Sequence, residues 1–340
     1  IDSRHTNNDC DKKAGQDFAH VDSPGCIPLW HDHNRRTLPR VTEGVCRGAM
    51  SSQKIIKKGR VVSALVCIGL MVSVAETAAQ GVAASDLKIF DAHLHYNQEP
   101  NPFYPLDQVL EIFRRNGVTG ILATSRPNKG THQLMEAKAT GLWVVPFIRP
   151  YRVRSDIQTW FNDPSILDLV KSEYERGYYR GVGEFHIYGK SAATPLVKQV
   201  VDFAVERNLY LHAHCDEEAL LILFSHNPKA KIIWAHTGFS TAPSRVAELM
   251  TTHPDLLGEL SYRSGIVDGD GKLSAEWRSL FARFSDRFLI GSDTWINERW
   301  FAYDGLMKGY RAWLAQLPRE QAEKIANGNA KKMFATRSTD

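Results

Sequence analysis

The residues best suited to chemistry are histidines and carboxylates that stand where short apolar segments end. The first such segment closes with Asp91-Ala92-His93-Leu94-His95. Because side chains on a strand alternate between its two faces, His93 and His95 are expected to project to the same side. Two neighbouring imidazoles provide half of a metal site. The spacing alone is a weak signal, since His31-Asp32-His33 repeats it where no strand pattern is present.

Two later apolar segments end in the same residue types. Glu184 closes Gly181–Phe185, and a carboxylate buried there needs a partner such as a metal or an Arg or Lys side chain. The segment Leu209–His214 carries two histidines that share a face. His214 lies nearer the end of the segment and is the predicted ligand, whereas His212 is expected one layer deeper, as a supporting or core residue.

The last two candidates follow segments nearer the carboxyl terminus. His236 ends Trp234-Ala235-His236, and Asp293 ends Leu289-Ile290-Gly291-Ser292-Asp293. Taken singly, a histidine at a strand end is more often a hydrogen-bonded structural residue than a ligand. The ordered set of His-x-His, Glu, His, His and Asp is far more specific than any member of it.

Further residues at the same strand ends suggest how a substrate is held. Arginine offers a two-pronged grip on a carboxylate or phosphate, and Arg149 and Arg263 each follow a predicted strand. Trp295 supplies an apolar wall, and His186 stands two residues beyond Glu184. We therefore expect a small, anionic organic substrate, although surface salt bridges and packing explain these residues equally well.

The elements that position these residues alternate between strand-like and helix-like patterns. The predicted strands are 88–94, 119–124, 143–148, 181–185, 209–214, 231–235, 256–260 and 288–291, and amphipathic segments separate them. Eight such units in about 250 residues predict an α/β fold, a (β/α)8 TIM barrel, whose functional residues gather at the carboxyl ends of the strands. A doubly wound sheet is the rival, but Asp91–His95 is not the glycine-rich phosphate turn that it usually carries.

The residues before this domain follow a different pattern. Residues 1–49 have no hydrophobic periodicity and are predicted to be an upstream or disordered extension. From Met50 a basic stretch, the apolar run Val61–Val74 and small residues have the anatomy of a signal peptide over 50–84. The run is shorter than a membrane span needs. We expect export to the periplasm or medium, no stable membrane anchor after cleavage, and a folded domain over 85–340.

Composition excludes several other classes of protein. The net charge is +4 and no basic stripe runs through the domain, so nucleic-acid binding is not expected. Of the five cysteines only Cys215 lies in the predicted domain, which excludes an internal disulfide there. No Cys-x-x-Cys pair is present, which argues against a thiolate zinc site.

At these motifs the sequence resembles the amidohydrolase superfamily, in its branch of amidohydrolase-related TIM-barrel metal-dependent hydrolases. The similar segments are FDAHLH, GVGEF, LYLHAHC, IIWAHTG and LIGSDTW, with the closing segment Asn327–Phe334, so the resemblance spans about residues 86–340. It implies that His93, His95, His214 and Asp293 bind a divalent metal. It also implies that His236 lines the site or binds a second ion, and that Glu184 is a ligand in place of the carboxylated lysine of many members.

The resemblance also implies a mechanism. Imidazole and carboxylate ligands suit zinc best, with manganese, iron or cobalt as alternatives. A bound metal lowers the pKa of water to near 7, Asp293 is the expected general base, and His236 stabilises developing charge. The substrate is expected to be an amide, ester, lactone or phosphoester. Two alternatives stay open: a metal-dependent decarboxylase of an aromatic or unsaturated acid, and a non-catalytic exported binding protein.

Overall fold

The computed structural model describes residues 86–98 and 103–335, and the predicted leader and signal peptide lie outside these ranges. Eight parallel strands run in chain order around a nearly closed barrel. They are β1 (Ile89–His95), β2 (Val118–Thr124), β3 (Trp143–Ile148), β4 (Gly181–Ile187), β5 (Tyr210–Cys215), β6 (Lys231–Trp234), β7 (Leu256–Glu259) and β8 (Phe288–Leu289). Each predicted strand is present, with its bounds shifted by at most a few residues.

Helices follow the strands, as an all-parallel barrel requires. They are α1 (Leu106–Arg115), α2 (Lys129–Glu136), α3 (Ser165–Tyr174), α4 (Pro195–Glu206), α5 (Glu217–His226), α6 (Pro243–Thr252), α7 (Ala275–Phe284), α8 (Tyr303–Leu314), α9 (Arg319–Glu323) and α10 (Asn329–Ala335). Within the described ranges, none of them has the length and hydropathy that crossing a bilayer demands.

Short helical turns occupy several of the connections. Those that matter for the site are Arg154–Gln158 and Trp160–Asn162 after β3, Gly189–Ala193 after β4 and Ala235–Gly238 after β6. The turn after β6 contains left-handed backbone at His236 and Thr237. These connections all leave the carboxyl ends of the strands, and they therefore build one face of the barrel.

The ring closes between β1 and the segment that follows β8. The amide of Ala92 donates to the carbonyl of Ile290 at 2.8 Å, and the amide of Asp293 donates to the carbonyl of His93 at 2.6 Å. Asp91 adds a side-chain tie, because its carboxylate accepts from the Ser292 amide at 2.8 Å and from the Tyr303 hydroxyl at 2.7 Å. These bonds hold the ends of β1 and β8 together beside the candidate ligands.

Aromatic side chains fill the amino-terminal half of the barrel interior. Phe90 and Phe147 point inward from β1 and β3, and Phe334 of α10 packs against both rings at 5.9 Å between centroids. Asn329 fixes the start of α10 by donating to the carbonyls of Ser285 and Phe288. Helix α10 therefore packs against the interior of the barrel at the end opposite the histidines.

Candidate metal centre

Four side chains meet at the carboxyl end of the barrel. His93 and His95 face each other with 3.1 Å between their Nε2 atoms. Asp293 Oδ1 lies 3.4 Å from His93 Nε2 and 3.1 Å from His95 Nε2. Glu184 approaches the same pair, with Oε1 3.4 Å from His93 Nε2 and Oε2 3.2 Å from His95 Nε2. All four residues are buried.

These separations are of the size found between the ligand atoms of a single metal ion. Ligand atoms at ~2.0–2.1 Å from a central zinc lie about 3.3–3.4 Å from one another, close to the five separations above. Asp293 Oδ1 is also buried without a well-aligned hydrogen bond from the described residues, which is an unusual state for a carboxylate oxygen. A cation bound between the four side chains would satisfy it, so the residues fit a divalent metal.

Glu259, at the end of β7, orients the first histidine. Its Oε2 lies 2.9 Å from His93 Nδ1 and also accepts from the Ser261 hydroxyl at 2.8 Å and the His236 amide at 3.2 Å. Its Oε1 accepts from the Ser261 amide at 2.5 Å. A carboxylate on Nδ1 fixes the orientation of the His93 ring, with Nε2 toward the other candidate ligands, and raises its basicity, as is usual for ligating histidines. Burial lowers the pKa of His93, but Asp293, Glu184 and Glu259 outweigh it and raise the pKa well above its usual value.

A second set of ligand atoms adjoins the first and shares Glu184 with it. His214 Nδ1 lies 2.8 Å from Glu184 Oε1 and 3.2 Å from His236 Nε2. His236 Nε2 is farther from the carboxylates, at 3.8 Å from Glu184 Oε1 and 3.9 Å from Asp293 Oδ2. Glu184 therefore stands between the two histidine pairs, in the position of a bridging ligand.

The carboxylates of this centre are ionised. Burial by itself would raise the pKa of Asp293, but the facing His93 and His95 hold it below its usual range. For Glu184 burial again acts upward, and the charge of His93 with hydrogen bonds from His214 and His236 outweighs it, so that its pKa is well below the usual range. Two ionised carboxylates in a buried pocket create an environment that favours a cation.

His95 and His186 are kept neutral, and the neutral form of histidine is the one that binds metal ions. Burial, with the neighbouring Arg149 cation, lowers the pKa of His95. Burial likewise lowers the pKa of His186 to about 3. His212 lies deeper, with its ring 4.4 Å from the His93 ring, and neither of its nitrogens has a hydrogen-bond partner among the described residues.

The backbone is unusual at the points where it delivers ligands. Gly183 has φ +123°, and a Cβ at this position would lie 2.2 Å from the carbonyl oxygen of His212, so only glycine fits before Glu184. His236 and Asp293 adopt φ values of 57° and 45°, which non-glycine residues rarely do. Such conformations concentrate at functional sites, where the surrounding structure holds them.

A cavity of about 370 Å³ opens above the metal centre. Four candidate ligands line it: Glu184, His214, His236 and Asp293. The other lining residues are three arginines (Arg126, Arg149 and Arg154), three aromatic residues (Phe239, Tyr262 and Trp295), Ile157 and His186. Arg149 is itself buried and donates to Glu184 Oε2 at 3.1 Å. Its Nη1 also contacts His95 Nδ1. The positive charge of Arg149 is thus partly neutralised by Glu184 within the site.

The predicted substrate-binding residues divide into two groups. Arg149, Trp295 and His186 line this cavity, and His186 stacks on His214 with 4.1 Å between ring centroids. Arg263 is not among the residues that line it. Its Nη2 donates to the Thr241 carbonyl and its guanidinium packs 4.9 Å from the Trp277 ring, so its charge is held within the loops beside the barrel.

Sequence reasoning missed Glu259, Arg126 and Arg154. Glu259 could have been found, because it ends the apolar strand Leu256–Glu259 just as Glu184 ends its own segment. Arg126 and Arg154 lie in connections after β2 and β3, and no strand periodicity tells which way a loop side chain points.

Comparison with known proteins agrees with this geometry. The sequence profile of the amidohydrolase family matches residues 176–336, from β4 through α10. This match covers the segments that carry Glu184, His214, His236 and Asp293, and it confirms the resemblance on which the sequence analysis drew. No curated protein matches the chain significantly.

Several solved structures align with about three quarters of this chain. A protein from Pseudomonas putida named for 2-pyrone-4,6-dicarboxylic acid hydrolysis is 16% identical, with a TM-score of 0.50 over 73% of this chain and 98% of its own. An amidohydrolase from Burkholderia multivorans with bound zinc is 15% identical, with a TM-score of 0.49 over 73% and 99%. At 16% identity the likeness to the Pseudomonas putida protein is one of fold.

Proposed function

We propose that this chain, an enzyme of the amidohydrolase type, is a metal-dependent hydrolase of small anionic esters, amides, lactones or phosphoesters. The observation that carries the proposal is the set of 3.1–3.4 Å separations among His93, His95, Glu184 and Asp293, which are of the size found between the ligand atoms of one metal ion. Zinc is the proposed ion, since imidazole and carboxylate ligands suit it.

A divalent metal bound here would supply an acidified water and polarise the scissile carbonyl or phosphoryl group. The chain's own residues have distinct tasks around it. Asp293 reaches both histidine pairs and opens to the cavity, so its carboxylate is placed to take the proton of the attacking water and to return it to the leaving group. His236, whose Nε2 lies 3.9 Å from Asp293 Oδ2 and whose pKa is raised despite burial, mainly by the hydrogen bond to Glu184, is proposed to hydrogen-bond the oxygen on which charge develops.

The cavity walls favour a substrate that carries negative charge. Arg154 lies on the rim with its guanidinium 5.9 Å from the Trp295 ring, and Arg126 and Arg149 line the wall beside it. Arginines above a metal centre pair with a carboxylate or phosphate, and the indole supplies a flat apolar surface. We propose that the anionic end of the substrate contacts Arg154 while its reacting group faces Asp293.

Elemental analysis of the purified chain tests the metal, and a panel of carboxylated esters, lactones and amides in a pH-stat tests the reaction. We expect one or two equivalents of zinc and a rate that Asp293→Asn reduces about 10²–10⁴-fold. Asp270→Asn, on an exposed loop, is the control. Release of CO₂ from aromatic acids without hydrolysis of any panel member would identify a decarboxylase instead. Metal at background level would refute the proposal.

We further propose that the chain is exported and processed before Asp86, as residues 50–84 suggest. Mass spectrometry of the chain expressed in a bacterial host with its leader gives the test. A mature amino terminus between residues 75 and 86 in the periplasmic fraction is the expected result, and an unprocessed chain in the cytoplasm would contradict it.

A further inference from the structure

A second cleft adjoins the metal cavity at the same end of the barrel. This β4 cleft has a volume of about 430 Å³ and is formed by the connections after β3 and β4. Its principal walls are Ile157, Gln158, Phe161, His186, Tyr188 and Ser191. The mechanism proposed above makes no use of it.

The β4 cleft and the metal cavity share walls. Ile157 and His186 line both spaces. In addition, the Tyr188 ring of the cleft lies 5.9 Å from the ring of His214, which lines the metal cavity. The cleft and the metal cavity are therefore immediate neighbours, separated by no more than the side chains of Ile157 and His186.

The two spaces differ in charge. Three arginines line the metal cavity, together with the ionised Glu184 and Asp293. Among the described residues that line the β4 cleft there is no Asp, Glu, Lys or Arg. The short helix Arg154–Gln158 contributes to both spaces: the charged Arg154 lines the metal cavity, and the uncharged Gln158 lines the cleft. A ligand that fits both spaces is anionic at one end and uncharged at the other.

Aromatic and aliphatic side chains make much of the cleft surface apolar. Tyr188 is 50% exposed, and Phe161 and Ile157 are partly buried. An aromatic ring left half-exposed in a concave surface favours stacking with a flat apolar group. Gln158 and Ser191 offer neutral hydrogen-bonding groups at the margin, which add orientation without requiring charge on the ligand.

The walls of the cleft are held in place before any ligand arrives. Trp160 Nε1 donates to the His186 carbonyl at 2.8 Å, which ties the connection after β3 to the end of β4. Thr194 Oγ1 donates to the Phe161 carbonyl at 2.8 Å, and the Tyr151 hydroxyl accepts from the His186 amide at 2.6 Å. A pre-formed surface of this kind binds without a large ordering penalty.

We propose that the β4 cleft binds an uncharged aryl group of the substrate while the anionic, reacting end occupies the metal cavity. The inference rests on the proposed function of that cavity. It narrows the substrate class from small anions in general to anions that carry an aryl group on a spacer, and it disfavours compact polyacids.

Calorimetric titration of the zinc-loaded chain with ω-phenylalkanoates, from phenylacetate to 6-phenylhexanoate, tests the proposal. We expect the affinity to rise about tenfold at the spacer length that brings the phenyl group into the cleft. Ser191→Trp, which fills the cleft, should abolish this rise and leave the affinity for phenylacetate unchanged. Tyr188→Ala, which removes one of the two aromatic rings of the cleft, should also abolish it.

Matched controls separate the cleft from general hydrophobicity. Ser225→Trp lies on the exposed side of α5, and Phe103→Ala removes an aromatic ring that is 53% exposed away from the cleft. Both should keep the wild-type profile. Equal affinity along the series, no binding by any member, or a rise that survives Ser191→Trp and Tyr188→Ala would overturn the proposal. Because binding is measured without turnover, failure to hydrolyse any ester would count against the proposed function and leave this result intact.

Discussion

Replacing Glu259 with Gln tests whether the metal centre depends on a residue that does not touch the metal. The carboxylate receives four hydrogen bonds, three at Oε2 and one at Oε1. A glutamine keeps one oxygen, and placing it at the Oε2 position retains three of the bonds. Its amide group then faces the Ser261 amide, donor against donor. Losing one bond to a charged group costs about 1.5–3 kcal/mol of stability.

The same substitution weakens the metal site through His93. A neutral amide no longer raises the basicity of the ring, and changes of this kind lower metal affinity by about 10–100-fold. We expect Glu259→Gln to lower the zinc affinity by that factor in competition with a chromophoric chelator, and to lower the unfolding midpoint of the metal-free chain. Glu320→Gln, in an exposed ion pair with Lys324, should change neither quantity.

Two results would refute this reasoning. If the midpoint falls but the zinc affinity equals that of the wild type, Glu259 only stabilises the fold and does not position His93. If neither changes, the hydrogen bonds seen around Glu259 contribute nothing measurable. Measuring affinity and stability on the same preparation distinguishes the two results.

Three further outcomes are expected. Gly183→Ala should lower the free energy of unfolding by about 2–4 kcal/mol because its Cβ meets the His212 carbonyl, whereas Gly269→Ala, which meets nothing within 4 Å, should be near neutral in urea denaturation. Removing zinc with a chelator should lower the melting temperature and abolish hydrolysis, and added zinc should restore both; a melting temperature indifferent to zinc would argue against a bound ion. Asp156→Asn should destabilise the chain at pH 7, and the difference from wild type should shrink as pH falls below about 4.

The last expectation follows from the sign of the pKa shift at Asp156. Burial raises the pKa of this carboxyl, but hydrogen bonds from the Arg152 side chain and from the backbone of Arg152 and Val153 outweigh it and lower the pKa. A lowered folded-state pKa contributes stability that is present above the unfolded value and lost as pH falls through the folded one. A difference between variant and wild type that persists at pH 2 would contradict this assignment.

The barrel and the positions of its candidate ligands could be predicted from the sequence, because the pattern of apolar residues locates the strands and their ends. His93 and His95 lie on β1 with their Nε2 atoms 3.1 Å apart, and Glu184 lies on β4 as the apolar run there predicts. Asp293 lies four residues beyond the end of β8, so the sequence located its ligand better than its strand. Parallel topology then brought these ends together without any knowledge of side-chain contacts. The same logic applied to β7 would have found Glu259.

The residues that line the substrate cavity were harder to predict, because many of them lie in the loops that follow the strands. Arg263 follows β7 and was expected in the mouth, yet left-handed backbone at Tyr262 precedes it and its side chain lies against Thr241 and Trp277. Arg154 was not expected there, although it lines the cavity. Loop conformation depends on packing between distant segments, and a single sequence does not encode it in a periodic pattern.

The docking of α10 against the interior of the barrel links assembly order to catalysis. Phe334 stacks on Phe90, three residues before His93 on the same strand. Because Phe334 packs against Phe90 and Phe147, the inner packing of β1 is complete only when α10 has docked. Capture of a metal ion by His93 and His95 should consequently depend on the docking of a helix that touches neither of them.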